Sequence, residues 1–258
     1  MNTVPLPAGP EPAAVDATPR PFLTPAMKVI AAALLVLSLL FWTFPALDIA
    51  VARLFYVPGE GFPLQQVEAL VALRRSGNIV FYGSLVAAVV VIALRLLRPA
   101  SRSLVPVRDA LFLLLTAAAG PGLLINGLLK PTFGRARPVD VPPFSQNLPF
   151  TRAWEVSPAC SQNCSFPSGE GGAAAWLIAL ALLAPPRWRR PALVLTAAYA
   201  LALSLNRMAF GGHFVSDIAV AWGLVLLLIL LIHRALYDRP PGWLTEGRID
   251  RWFARGTA

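Results

Sequence analysis

The 258-residue chain is 57% hydrophobic and 14% charged, where soluble proteins average about 25% charged. Its apolar residues gather in blocks of about 20, the length a bilayer-crossing helix needs and a soluble helix does not. The net charge of +9 does not mark a nucleic-acid partner, because the arginines are dispersed between the apolar blocks and form no basic stripe.

Residues 1–25 are rich in Pro and Ala and lack the apolar run of a signal peptide, so they read as a disordered cytoplasmic tail. Six apolar blocks come after it, at 27–47, 78–97, 109–129, 168–183, 191–205 and 215–236. They predict an all-α, polytopic membrane protein with six transmembrane helices in one bundle. The expected organisation is a tail over 1–26, a bundle over 27–237 and a second cytoplasmic tail over 238–258. Between the first two blocks, residues 64–75 place Leu64, Val67, Leu70 and Val71 at helical spacing, which predicts a short helix lying in the outer interface. Gly120, Pro121 and Gly122 predict a kink in the third block. The fourth and fifth blocks are short, so their ends are expected to start or stop inside the bilayer. The stretch 243–253, with Trp243 and Trp252, reads as a cytoplasmic aromatic belt.

Fourteen of the 22 basic residues fall on one side of this topology, among them Arg95, Arg98, Arg102 and Arg108 after the second block and Arg187, Arg189 and Arg190 after the fourth. The positive-inside rule makes that side, and with it both termini, cytoplasmic. Cys160 and Cys164, the only cysteines, then lie in an outer loop. A disulfide between them is expected in an oxidising compartment, with two free thiols as the alternative. Two thiols with no nearby histidine make half a zinc site at most.

Two charged runs stand at the outer ends of apolar blocks: Lys130-Pro-Thr-Phe-Gly-Arg-Ala-Arg137-Pro138 and Arg207-Met-Ala-Phe-Gly-Gly-His213-Phe-Val-Ser-Asp217. Charge at membrane depth is expensive and marks a site by default. His213 and Asp217 are four apart, in contact range at a helix start. A carboxylate on one ring nitrogen would leave the other free as a nucleophile. Lys130, Arg137 and Arg207 are suited to a phosphoryl group, since arginine donates in pairs. Singly, each reads as a basic residue snorkelling at a membrane edge; together with a His–Asp pair they read as a phosphate site. Ser168 is a natural helix cap, Gly169 permits close approach, and the amides of that helix start can hold phosphate.

These runs resemble the signature of the type-2 phosphatidic acid phosphatase superfamily: Lys, six residues, Arg-Pro; then Pro-Ser-Gly-His; then Ser-Arg, five residues, His, three residues, Asp. The resemblance covers about residues 109–236, and the first third of the chain adds two generic spans. It implies a six-helix bundle, a metal-free site, no cofactor, and a phosphohistidine intermediate on His213 oriented by Asp217, and the charge asymmetry puts that site at the periplasmic membrane interface. Lys130, Arg137, Arg207, Ser168 and Gly169 would hold the phosphate. Asn206 replaces the serine before Arg207. Glu170 replaces the second-motif histidine, the family's proton donor, and is expected to serve as the general acid. The Ser-Gly-Glu variant is also similar, less specifically, to bacterial lipid A 4′-phosphatases. The implied partner is a phosphorylated lipid in a bacterial inner membrane, lipid A first. Phosphatidylglycerol phosphate, phosphatidate, undecaprenyl diphosphate and lipid-to-lipid phosphotransfer come next, with a non-catalytic lipid-binding or transport protein as the reading from another class.

Overall fold

A computed structural model describes residues 23–97, 105–238 and 240. The expected tails, up to residue 22 and over 241–258 with its tryptophan belt, lie outside them. The described residues form helices and no strand.

Helix α1, Pro25–Thr43, is capped by Thr24, whose Oγ1 accepts the Met27 amide at 3.2 Å. It stops short of residue 47 because Pro45 has no amide to continue the ladder. The chain turns there and enters a separate helix α2, Ala46–Arg53. Helix α3, Glu68–Leu97, is one run of 30 residues. The separate interfacial helix over 64–75 therefore does not form. Pro63–Gln66 is a single 3-10 turn, and no proline between Glu68 and Asn78 interrupts the long helix after it.

Helix α4, Val107–Ala117, runs into a π-helical stretch, Ala118–Leu129, and ends in α5, Lys130–Phe133. The predicted kink thus takes the form of a widened helix. Pro121 cannot donate, and its ring excludes the carbonyl one turn back; its own carbonyl accepts Asn126 Nδ2 at 2.6 Å. Helices α6, Gly169–Trp176, and α7, Ile178–Leu182, come next as one short apolar unit. Helix α8, Pro186–Ala209, is longer than its apolar block because the basic segment Arg187–Arg190 is already helical. Its start at Pro186 suits proline at a first turn. Helix α9 is Val215–His233.

Five helical stretches are long and apolar enough to cross a membrane: Pro25–Thr43, Glu68–Leu97, Val107–Asp140, Pro186–Ala209 and Val215–Asp238. Gly169–Leu182 is apolar but shorter. Val29 and Leu35 of α1 and Ile79 and Val86 of α3 are exposed, as residues facing acyl chains are. Helix α9 is the hub, packed on α1, α4, α6 and the π-helical stretch. The main core lies around it, with Phe112, Ile125, Trp176, Val225 and Ile229 buried together. The Trp176 indole donates to Thr116 Oγ1 at 2.8 Å, so its one polar atom is satisfied. The start of α3, the end of α5, the starts of α6 and α9 and the end of α8 meet at one end of the bundle, and the site is built there.

Candidate active site

Helix α5 ends at Gly134, whose φ is +53°. An added Cβ would strike the carbonyl of Ser157, so only glycine lets the chain reverse so close to a second stretch of backbone. That backbone is held by bonds from Ser157 N to Phe133 O (2.9 Å), Cys160 N to Gly134 O (3.1 Å) and Ser165 N to Arg135 O (2.8 Å). Cys160 and Cys164 are disulfide-bonded, Cα atoms 5.5 Å apart. The small loop they close presents the Asn163 carbonyl to Arg137 Nε at 3.1 Å. The bridge thereby holds a cation of the site as well as the loop. Cys160→Ser is expected to raise KM for a lipid phosphate by about three- to tenfold, the worth of one weakened contact, with a smaller change in kcat. An unchanged KM would mean that backbone pairing alone holds Arg137.

His213 lies in the turn between α8 and α9 and is 2% exposed. Its Nδ1 is 2.9 Å from the carbonyl of Ser165 and 3.7 Å from Asp217 Oδ2. The carbonyl, not the carboxylate, therefore takes the ring N–H, because 3.7 Å is too long for a hydrogen bond. Asp217 is otherwise engaged. Its Oδ2 accepts the Ser165 hydroxyl at 2.5 Å and the Phe214 amide at 2.8 Å, and its Oδ1 accepts Arg135 Nη1 at 2.6 Å. It acts on His213 as a nearby fixed charge. Burial holds the His213 imidazole below the ordinary histidine range, against the opposing pull of Asp217. The ring is thus neutral at pH 7, with Nε2 free to act as a nucleophile.

Ser168 caps α6, its Oγ accepting Gly171 N at 2.9 Å, and its own amide donates to the Asp217 carbonyl at 3.1 Å. The start of α6 and the start of α9, which carries Asp217, are thereby tied together. Gly169 faces the side-chain amide of Asn126, which any Cβ there would strike. The first-turn amides of Gly169 and Glu170 have no acceptor within their helix.

These groups border a cavity of about 680 Å³. Its lining includes Lys130, Arg137, Glu170 and His213, the amides of Asn78 and Asn126, and the apolar Phe81, Leu85, Leu114 and Pro121. Of the expected residues, Lys130, Arg137, Gly169, Glu170 and His213 face it, while Ser168 and Asp217 are buried beneath. Arg207 is 6% exposed at its side chain and sits behind Glu170, its Nε 3.0 Å from Oε2. That N–H is not aimed at the carboxylate and has no hydrogen-bond partner among the described residues. Glu170 is also held by Arg74 of α3, Nε to Oε2 at 2.9 Å and Nη2 to Oε1 at 2.6 Å. Arg74 escaped the sequence reading, as did Arg135 and Asp48. The signal available for all three was a charge inside or beside an apolar run.

The sequence matches the family model described as the PAP2 superfamily over residues 109–241. The chain belongs to the PAP2 superfamily. Among curated superfamily relatives, the lipid A 4′-phosphatase of Rhizobium leguminosarum is 31% identical over 210 residues, 74% of this chain and 88% of that one. The lipid A 4′-phosphatase of Rhizobium etli is 39% identical over 114 residues (43% of this chain, 44% of that one). That of Francisella tularensis subsp. novicida is 33% identical over 121 residues, 46% and 54% of the two chains. Among solved structures, the transmembrane PAP2-type phosphatidylglycerolphosphate phosphatase of Bacillus subtilis superposes with a TM-score of 0.57 at 20% identity, covering 84% of this chain and 98% of that one. At that identity the likeness is one of fold.

Proposed function

We infer that this membrane phosphatase removes a phosphate monoester from a lipid headgroup, with lipid A the favoured substrate. The observation that carries the reading is His213, with its hydrogen-bonded Nδ1, facing a cavity lined both by Lys130 and Arg137 and by apolar Phe81, Leu85 and Leu114. The curated relatives named lipid A 4′-phosphatase support the choice of lipid.

In this mechanism Lys130 and Arg137 neutralise the phosphate, joined by the first-turn amides of α6. His213 Nε2 attacks phosphorus in line, and the N–P bond forms as the bond from phosphorus to the lipid oxygen breaks. That oxygen must gain a proton. Glu170 is the carboxyl that lines the cavity, but held by Arg74 and beside Arg207 it is a carboxylate with no proton to give. A phosphate monoester that arrives with one proton can pass it to Glu170 as the phosphate oxygens draw Arg207 away. Glu170 then returns it to the departing oxygen. Water attacks the phosphohistidine, giving one proton to Glu170 as the N–P bond breaks, and Glu170 passes that proton to the departing inorganic phosphate, which restores the carboxylate and neutral His213. The proposed hydrolysis is metal-independent, with Lys130, Arg137 and the α6 amides as the groups that neutralise the phosphate.

The proposed setting is a bacterial inner membrane, with α6–α7 as a sixth, half-length span within a bundle over 27–237. Both termini are assigned to the cytoplasm and the site to the periplasmic face. The asymmetry of basic residues supports this orientation, and a disulfide at the site end agrees with an oxidising compartment. The test is phosphate release by purified protein from lipid A, phosphatidate, phosphatidylglycerol phosphate and undecaprenyl diphosphate in mixed micelles. Mass spectrometry of the lipid A product locates the phosphate removed. Fastest release from lipid A is expected; faster release from a glycerophospholipid would overturn that substrate choice.

A further inference from the structure

Beneath the nucleophile lies an unbalanced charge cluster. Asp48 of α2 is fully buried, although α2 precedes the family-matched residues 109–241. Its Oδ2 accepts Arg135 Nη2 at 2.8 Å and the Ser216 hydroxyl at 2.6 Å, and its Oδ1 accepts the Ser216 amide at 3.0 Å. Burial lifts this carboxyl above its ordinary range, and the Arg135 guanidinium opposes that shift. Every polar neighbour here donates to it, so the anion is the form the geometry accommodates. Arg135 directs its other arm to Asp217 Oδ1 at 2.6 Å and to the Ser216 hydroxyl at 2.8 Å. Its Nε goes to the Thr151 carbonyl at 2.7 Å, and its face lies 4.3 Å from the Phe214 ring centre. Two carboxylates thus share one guanidinium, leaving one net negative charge among fully buried groups, where screening is weak.

A single Arg135–Asp217 pair would be neutral and satisfied, so the second carboxylate needs a reason. The reacting imidazole supplies one. When neutral His213 bonds phosphorus through Nε2 while Nδ1 keeps its proton on the Ser165 carbonyl, the ring becomes positive. Lys130 and Arg207 oppose that charge, and Arg137 lines the same cavity. Glu170 is held by two arginines of its own, and Asp217 is already committed to Arg135. The extra anion on α2 restores a counter-charge under the ring.

We propose that Asp48 is a positioning residue for phosphoryl transfer: through Arg135 and Asp217 it maintains the excess negative charge that stabilises the His213 ring as the phosphorus–nitrogen bond forms. The proposal rests on His213 as the nucleophile. The competing explanation is a staple that merely fixes α2 to α9.

The two separate in the pH profile of phosphate release from lipid A in mixed micelles. Asp48→Asn is expected to lower kcat about tenfold with KM within about twofold, and to move the acid limb of kcat/KM down by about half to one pH unit, since a ring without its counter-charge protonates less readily. The double variant Asp48→Asn/Arg135→Gln leaves Asp217 as the one remaining charge and so restores the net −1. It is expected to return the acid limb to within about 0.2 units of wild type and to recover part of kcat. Where the single variant does not fold, the charge-balanced double is read alone, and a displaced limb in it overturns the proposal. A folded Asp48→Asn with the wild-type limb, its kcat reduced only in proportion to the folded fraction in thermal unfolding, also overturns it and leaves the staple. A wild-type protein that releases no phosphate overturns the phosphatase reading and this inference together.

Discussion

Replacement of His213 by alanine is expected to lower kcat by at least about 10,000-fold, the scale seen when a nucleophile is removed from a site that otherwise stays intact. Binding of the lipid phosphate should change little, because Lys130 and Arg137 line the cavity independently of the imidazole. A second readout is the intermediate. Rapid quenching of wild-type enzyme into alkali should leave a phosphoryl group on the protein that is stable to base and lost in acid, and His213→Ala should leave none. The acid limb of the pH profile is set by burial. An imidazole held below the ordinary histidine range stays neutral through pH 7, so the acid-side fall in activity should come at a more acidic pH, where protonation removes the Nε2 lone pair. Residual phosphate release within tenfold of wild type would remove His213 from the centre of the mechanism.

The residues legible in the sequence are those whose partners are close along the chain. His213 and Asp217 are four apart on one helix start, and the Lys130–Arg137 spacing lies within a single reversal at Gly134. The apolar blocks likewise reveal the spanning helices, since length and hydropathy are local properties. The residues that escaped lie across the bundle from their partners. Arg135 meets Asp217 at a separation of 82 residues and Asp48 at 87, and Arg74 meets Glu170 at 96. A charge within an apolar run announces that it needs a partner, but no periodicity names that partner. The first third of the chain, which reads as two generic spans, in fact contributes Asp48 and Arg74 to the charged end. Helix lengths differ for a related reason. Arg187 and Arg190 read as loop residues because they are charged, yet both are helical. Helix ends carry charge readily where a long side chain reaches the interface or an ion-pair partner. The orientation of His213 also differs in kind, because a backbone carbonyl, invisible as a residue type, takes the position expected of the aspartate.

Glu170→Gln should divide substrates by the quality of their leaving group. A lipid alkoxide is a poor leaving group and needs a proton as the bond to phosphorus breaks, so the loss on a natural lipid phosphate is expected to be about 100- to 1,000-fold, within the range for general acid catalysis. An activated aryl phosphate departs without that proton, and its rate should fall by less than about tenfold. Glutamine retains one oxygen to accept from Arg74 but removes the negative charge beside Arg207, so the variant also reports on the ion pairs seen in the resting site. Those pairs make the carboxylate the resting form, and the proton must then arrive with the substrate. Rates on the lipid should therefore decline as pH rises above the second ionisation of the phosphate monoester, where the substrate no longer brings a proton, and the glutamine variant should lose that decline. Equal losses on both classes of leaving group would give Glu170 another role, that of holding Arg74 and Arg207 in register at the mouth of the phosphate site, with the leaving oxygen protonated from elsewhere.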